Sequence, residues 1–456
     1  MSKTAVKKTA AKTAAKTAAK TAAKSVAKKT VAKEKIFRVA ILGFGTVGSS
    51  VAQVLAAQKF PGIELTWIYN RDIDRKRAHA AAKFVPDTAK WTENIDDVLN
   101  SRVDIVIETI GGLDPMEKWI RRALSSGKSV VTANKQLIAY RGAALARLAQ
   151  KNKASLAYNA AVAGGVPVIP ATLQGLQGDR ITRLSGILNG TCNFILSHME
   201  AGADYGEVLE KAQAAGYAEA NPSADVDGYD ARAKLCILAR IALHAELDPD
   251  AIPTQTIAQV SAVDFHYAQE LNCTIRQISR AEVDGRQIRA CVGPMLVPST
   301  SPIAWSHGTQ NMVVTSGKFG GDVVFSGHGA GGHPTAVAIV SDLLAVAHGG
   351  MPVSLPTKKR QVAGEFLAPR YLRFVVADEP GIVGAITGAL GKVGVNIDSI
   401  LQRPGYPKDC LPFVITTEAC LTSTIEKALR AIEKFSFILE APLCLQILTV
   451  DDKAED

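Results

Sequence analysis

The 456-residue chain is 47 % apolar and 21 % charged, the make-up of a globular protein with room for several cores. No uninterrupted apolar run approaches the roughly 18 residues that a bilayer span needs. The seven cysteines fall into neither metal-ligand spacing nor a disulfide framework, which fits a reducing, cytoplasmic setting. The net charge of +9 belongs to one end: residues 1–35 hold 11 Lys against one Glu, so the remainder sums to about −1 and is electrically unremarkable.

Residues 1–35 are Lys/Ala/Thr-rich, and Lys12 to Lys24 repeats KTAA with period four. Lysines four apart would share a helix face and repel one another. With no apolar stripe to bury, the segment reads as a disordered tail. Loose, histone-like contact with nucleic acid is the functional alternative. The absence of Arg weighs against a transit peptide, and the absence of an apolar stretch excludes a signal peptide.

Globular sequence starts at Ile36. IFRVAIL (36–42) reads as a buried strand, GFGTVG as a turn and SSVAQVLAAQ as a helix. IELTWIYN is a second strand, followed by a charged helix start at RDIDRKRAHAAA. VDIVIETIGG and SVVTANK are two more strands, with WIRRALSSG and RGAALARLAQKN as helices between and after them. This alternation predicts an α/β unit over 36–157, a Rossmann-type doubly wound parallel sheet that binds NAD(P). From 158 the pattern changes. YNAAVAGGVPVIPA, ITRLSGILNGTCNFIL and the helical EVLEKAQAAG introduce an α+β domain over 158–317, read as the substrate-binding and dimerisation unit. Within 318–350, GHGAGGHPTAVAIVSDLLAVA is a glycine-rich loop and an apolar helix returning to the nucleotide domain. A linker over 351–369 contains Pro352, Pro356 and the run KKR. Residues 370–450 run strand–helix–strand–strand–helix–strand, a ferredoxin-like pattern.

The turn Gly43-Phe44-Gly45-Thr46-Val47-Gly48 follows the first strand and opens a helix. Its glycines allow a tight turn and close approach of backbone to a pyrophosphate, which the helix N-terminus attracts. At the end of the second strand, where an NAD site offers an acid to the ribose, stand Asn70, Arg71 and Asp72. Arg71 suits a 2′-phosphate and hence NADP; Asp72 turned inward would serve NAD, and Arg71 as a plain surface charge remains open.

A third cluster carries the chemistry. Ala212, Gly216-Tyr217-Ala218-Glu219 and Asn221-Pro222 lead into Asp225, Gly228, Asp230 and Lys234. Asp230 and Lys234, four apart, share one face of a helix; a solvated surface ion pair is the plain alternative. Asp225 and Asp227 suit catalysis and capping equally. The cluster resembles the signature of homoserine dehydrogenases. GFGTVG, TANK (132–135), YNAAVAGGVPVI (158–169), GILNGTCNFIL (186–196) and GHGAGGHPTA (327–336) resemble the matching family segments in the same order, over about residues 36–347.

The resemblance implies NAD(P)-linked interconversion of L-homoserine and L-aspartate 4-semialdehyde by a homodimer or homotetramer. It implies Lys234 as general acid/base, Lys135 polarising the carbonyl oxygen beside the cofactor, and Glu219 and Asp230 on the substrate ammonium. Gly216, Gly331 and Gly332 would lie near the cofactor. Backbone carbonyls of Val162, Gly164 and Val166 resemble a monovalent-cation (Na+) site, where Asn159 stands in place of the family's glutamate. Cys192 replaces a threonine and reads as a small buried hydrophobe. The C-terminal unit resembles an ACT domain through Asp378-Glu379-Pro380-Gly381-Ile382-Val383 and Gly394-Val395-Asn396-Ile397, which implies an amino-acid effector, with threonine as the natural candidate; a purely structural role is the alternative. The competing readings are another NAD(P)-dependent amino-acid or aldehyde dehydrogenase, and a catalytically inactive amino-acid sensor with a nucleic-acid-binding tail.

Overall fold

The computed structural model describes residues 35–350 and 356–449; the tail reading therefore lies outside the described residues, Lys35 apart. The first unit runs β1 (Phe37–Leu42), α1 (Thr46–Gln58), β2 (Ile63–Tyr69), α2 (Ile73–Arg77), β3 (Lys90–Thr92), α3 (Ile95–Leu99) and β4 (Ile105–Glu108). It continues with α4 (Met116–Ser125), β5 (Ser129–Thr132), α5 (Lys135–Lys151) and β6 (Leu156–Ala157). All pairings are parallel, in the order β3-β2-β1-β4-β5-β6. Helices on both faces explain why Val39–Leu42 and Ile105–Ile107 are continuous apolar runs, all buried. The order reverses between β1 and β4, which opens a crevice at the strands' carboxyl ends.

Two details differ from the sequence reading. β3 and β6 have three and two residues, too short to show a period. The helix expected from Arg71 is only α2, five residues capped by Asp72 with no buried residue, then a 3-10 turn over Ala80–Phe84. A charged stretch without an apolar stripe has little to hold a longer helix on the sheet.

The middle unit comprises β7 (Ile181–Ile187), α6 (Gly190–Glu200), α7 (Tyr205–Ala214), α8 (Ser223–Val226), α9 (Tyr229–Ala242), β8 (Ala245–Glu246) and α10 (Ala262–Glu270). The long strands β9 (Cys273–Asp284), β10 (Gln287–Pro298), β11 (Gln310–Gly317) and β12 (Gly321–His328) complete it. α9 packs across β7, β9 and β10 with 12 of its 14 residues buried, so Asp230 and Lys234 are interior residues and the surface ion pair is excluded. α11 (Gly332–Ala347) then returns to α1, and its Ala336, Ile339, Val340 and Leu343 share a core with Val39, Ile41 and Val51.

The C-terminal unit holds β15 (Leu367–Val376), α12 (Ile382–Lys392), β16 (Ile397–Leu401), β17 (Leu411–Leu421), α13 (Thr422–Ile432) and β18 (Leu443–Ile447). Strand order β18-β15-β17-β16 is antiparallel throughout, with both helices packed into one core against the sheet, as a ferredoxin-like fold requires. Its edge strand β18 pairs in parallel with β10 through Met295↔Gln446 and Leu296↔Ile447, so this unit extends the middle sheet. Part of the segment read as linker is pinned: β13 (Lys358–Lys359) pairs with β8, and β14 (Gln361–Ala363) with β10. Backbone pairing tolerates the basic side chains: Lys358 and Lys359 are exposed, and Arg360 donates to Gly285 O at 3.0 Å. Pro352 lies outside the described residues. No helix among the described residues is long and apolar enough to cross a membrane.

Candidate active site

The glycine-rich turn after β1 is built from backbone. Gly43 has φ +95°, a conformation that disfavours side chains, and its N–H donates to Tyr69 O at 2.9 Å. A Cβ on Gly48 would lie 2.0 Å from Gly43 O, so α1 can approach the turn only because that residue is glycine. Around Gly45 there is open space, and Gly45 and Thr46 are exposed while Phe44 is buried against Trp91. The N-terminus of α1 has no side-chain cap, and neither has that of α11, which begins behind Gly331 at φ +110°. A Cβ on Gly332 would lie 2.6 Å from Ser50 Oγ and 3.1 Å from Thr46 Cγ2. Two helix starts without a side-chain cap therefore meet at one place, a cradle of N–H groups unpartnered among the described residues and of positive dipole that fits a pyrophosphate. The cradle fits a dinucleotide.

At the end of β2, Arg71 is exposed. Asp72 is committed elsewhere: it caps α2 through Arg75 N at 3.3 Å and pairs with Arg75 Nε at 2.8 Å.

The second part of the site is made of side chains from distant elements. Lys135 is the first residue of α5, whose cap Asn134 accepts from Leu137 N at 3.0 Å and donates to Gly112 O at 2.6 Å. Asp230 lies in the first turn of α9, which starts after Gly228 at φ +84°, and Lys234 lies one turn further on. One Asp230 oxygen pairs with Lys135 Nζ; the other accepts from Lys234 Nζ at 2.6 Å and from Asn189 Nδ2 at 2.9 Å. Lys234 also donates to Leu188 O at 2.8 Å. Asn189 Nδ2 donates in addition to Asp225 Oδ1 at 2.6 Å.

The cluster grades from buried to open. The Asp230 side chain is 4 % exposed, that of Lys234 11 % and that of Lys135 41 %. Burial would push the Asp230 carboxyl up, but the two ammonium groups outweigh it and hold it well below the usual range. For Lys234 burial wins: its pKa is lowered, although Asp230 pulls the other way. For Lys135 burial works downward too, yet the attraction of Asp230 prevails and its pKa is raised. Burial raises Asp225, with the Asn189 hydrogen bond opposing. The two lysines thus sit on one carboxylate with their proton affinities pushed apart.

Glu219 is exposed beside this cluster, and its charge acts on Lys135; Gly216, at φ +75°, is likewise exposed. The segment is tied to α6 by Thr191 Oγ1, which donates to Tyr217 O at 2.9 Å, and by Tyr217 against Phe194. Asp230, which the resemblance placed on the substrate ammonium, has its two oxygens paired with Lys135, Lys234 and Asn189. Cys192 is fully buried, and burial raises its thiol far above the ordinary value, which suits a packing role and not a nucleophile.

At the loop read as a cation site, Val162 and Gly164 carbonyls accept no hydrogen bond among the described residues, while Val166 O accepts from Val168 N at 2.8 Å. Asn159 faces elsewhere: its N–H donates to Asp342 Oδ2 at 2.9 Å and its side-chain amide to Asp342 Oδ1. Asp342, on α11, is buried, and burial raises its pKa to about 7. Val162 and Gly164 thus leave two carbonyls unbonded among the described residues, and Asn159 brings an amide where the resemblance expects a carboxylate.

Sequence reasoning missed Asn189 and Asp342. Both left a trace: Asn189 stands where an Asn caps a helix, and Asp342 is the lone acid in the apolar run VAIVSDLLAVA.

A family profile described as homoserine dehydrogenase matches residues 167–344, one described as homoserine dehydrogenase, NAD binding domain, matches 43–159, and an ACT domain profile matches 370–437. The chain is 38 % identical over 422 residues to a homoserine dehydrogenase of Mycobacterium tuberculosis, covering 86 % of this chain and 94 % of that one. With that of Bacillus subtilis it shares 36 % identity over 386 residues, 81 % of this chain and 88 % of the other. A solved homoserine dehydrogenase from Thiobacillus denitrificans matches with a TM-score of 0.82 at 34 % identity, covering 91 % of this chain and 98 % of that one. A hyperthermophilic archaeal homoserine dehydrogenase in complex with NADPH matches with a TM-score of 0.60 at 26 % identity, covering 70 % of this chain and 99 % of that one.

Proposed function

The chain belongs to the homoserine dehydrogenase family, and from that premise we propose that Lys234 and Lys135 divide the proton work of interconverting L-homoserine and L-aspartate 4-semialdehyde. The observation that carries this reading is that both lysines pair with Asp230 but differ in burial: Lys234 is buried, which lowers its pKa, while Lys135 is 41 % exposed and its pKa is raised. The nicotinamide, when bound, accepts hydride in oxidation and donates it in reduction. Lys234, whose burial favours the neutral amine, takes the proton from the homoserine hydroxyl; in reduction its ammonium returns it to the new alkoxide. Lys135 stays charged and stabilises negative charge on the same oxygen. Glu219, the exposed carboxylate, holds the substrate ammonium. Asp230 fixes both lysines, and Asn134 sets where α5 presents Lys135.

Gly43 to Gly48, together with Gly331 and Gly332, hold the pyrophosphate of the cofactor, and Gly216 borders it. With Asp72 occupied by its cap, Arg71 is the group that meets the ribose, which favours NADP over NAD. A monovalent cation such as Na+ at Val162 and Gly164 completes the loop. The chain works in the cytoplasm as a homodimer or homotetramer, threonine binds the ACT unit and inhibits, and the tail at most binds nucleic acid weakly.

The test is a spectrophotometric assay of the full chain with homoserine and each cofactor, with and without threonine. Activity with homoserine, greater with NADP and reduced by threonine, is the expected result. Activity lost in Lys135→Ala but retained in Lys234→Ala would reverse the two lysine roles.

A further inference from the structure

Asn189 lies in the turn between β7 and α6 and is 3 % exposed. Its amide is used on every side. Nδ2 donates to Asp225 Oδ1 at 2.6 Å and to Asp230 Oδ2 at 2.9 Å, while Oδ1 accepts from Cys192 N at 2.8 Å and so caps α6. The residue before it, Leu188, supplies the carbonyl that accepts from Lys234 Nζ at 2.8 Å. One turn of chain thus touches the half-buried Asp225, the buried Asp230 and the buried lysine.

The chemistry of the position selects an amide. A helix cap needs an acceptor, and two carboxylates need donors. Ser, Thr and Asp supply the acceptor equally well, but none offers two N–H donors aimed at two carboxylates. We propose that Asn189 is a positioning residue for this reaction: it sets the spacing and charge of Asp225 and Asp230 and, through Asp230, the pH at which Lys234 gives up its proton. This rests on the reading of Lys234 as the proton-transfer group.

The charged and titratable groups facing Lys234 are Asp230 on its own helix, Lys135 at the head of α5, Asp225 on α8 and Cys192 on α6, with Glu219 acting on Lys135. Burial and Lys135 favour the neutral amine; Asp230 and Asp225 favour the ammonium. Asn189 lets the two carboxylates share a site without adding charge. An aspartate there would keep the shape and the cap but add a third acid, which either ionises and holds the proton on Lys234 more tightly or titrates in its own right.

The experiment is the pH dependence of homoserine oxidation by the full chain carrying Asn189→Asp. The rising limb of kcat should move up by about one pH unit or gain a second ionisation. At neutral pH kcat should fall by roughly tenfold or more, while KM for homoserine changes by less than about threefold. Asn189→Ser, which keeps a cap acceptor but is too short to reach both carboxylates, should lower kcat without a new ionisation. The proposal is overturned if both variants give the wild-type pH profile, whether at full activity or with activity lost only in step with folded protein. Failure of the Lys234 reading shows separately, as an ionisation that survives in Lys234→Ala, and even then an unmoved Asn189→Asp profile counts against Asn189.

Discussion

The nucleotide cleft and the lysine cluster are built on different principles. The cleft is backbone: two uncapped helix starts, a left-handed Gly43 and two glycines, Gly48 and Gly332, whose missing Cβ atoms let chain segments touch. The cluster is side chain: Lys135, Asn189, Asp230 and Lys234 come from α5, the turn before α6, and α9, and meet only once β7, β9 and β10 have received α9. A backbone site fails through space. A side-chain site fails through charge. The two regions should therefore answer mutation differently, the cleft in cofactor binding and the cluster in turnover.

The largest effect belongs to the cluster. Lys234→Ala should lower kcat by roughly 10²–10⁴-fold, with a smaller change in KM for homoserine because Glu219 remains, as steady-state kinetics would show. A comparable loss expressed in KM alone would erase the distinction between the regions. Next comes Gly48→Ala, where the new methyl meets a backbone oxygen that cannot easily yield. Overpacking of this kind costs about 1–3 kcal/mol, and KM for the cofactor should rise by roughly tenfold while kcat with saturating cofactor changes little. A kcat defect larger than the cofactor KM defect would mean that cleft and cluster are not separable.

Smaller again is Arg71→Ala, which sharpens the account of the cleft. It should reduce the NADP to NAD ratio of kcat/KM by about tenfold, the order of a charge-assisted hydrogen bond; an unchanged ratio would show that Arg71 does not read the 2′-phosphate. The smallest effect tests the joint between the regions, where Asp342 of α11 holds Asn159. Its pKa is raised by burial to about 7, above the unfolded value of about 3.9, so its ionisation opposes folding. The stability associated with its protonated form is complete below about pH 4 and is lost as pH rises towards 7. Asp342→Asn should flatten the fall in Tm over that window; a melting profile as steep as that of the wild type would put the titration elsewhere.

What was legible in the sequence follows the same division. The parallel sheet, the glycine turn and the ferredoxin-like pattern are local, written in periodicity and in glycine spacing. Asp230 and Lys234 were visible as a helical pair, but their burial was not, because it depends on the sheet strands that α9 packs against. Asn189 was hidden since its partners lie 36 and 41 residues away. The joining of β18 to β10 left no mark, because an edge strand that pairs and one that faces water share the same alternation. β3 was too short to show any period, and α2 ended early because its charged residues had nothing to pack against.

The central claim is that burial separates two lysines that share Asp230, leaving Lys234 the one that loses its proton. The most direct measurement is the pH dependence of homoserine oxidation in the wild type, Lys234→Ala and Lys135→Ala. In the wild type the rate should rise with pH through one ionisation, since oxidation needs the neutral amine. Lys234→Ala should lack that ionisation. Lys135→Ala should keep it, weaker in amplitude and moved to higher pH, because Lys135 is among the groups that lower the proton affinity of Lys234. An ionisation that persists in Lys234→Ala and vanishes in Lys135→Ala would contradict the account.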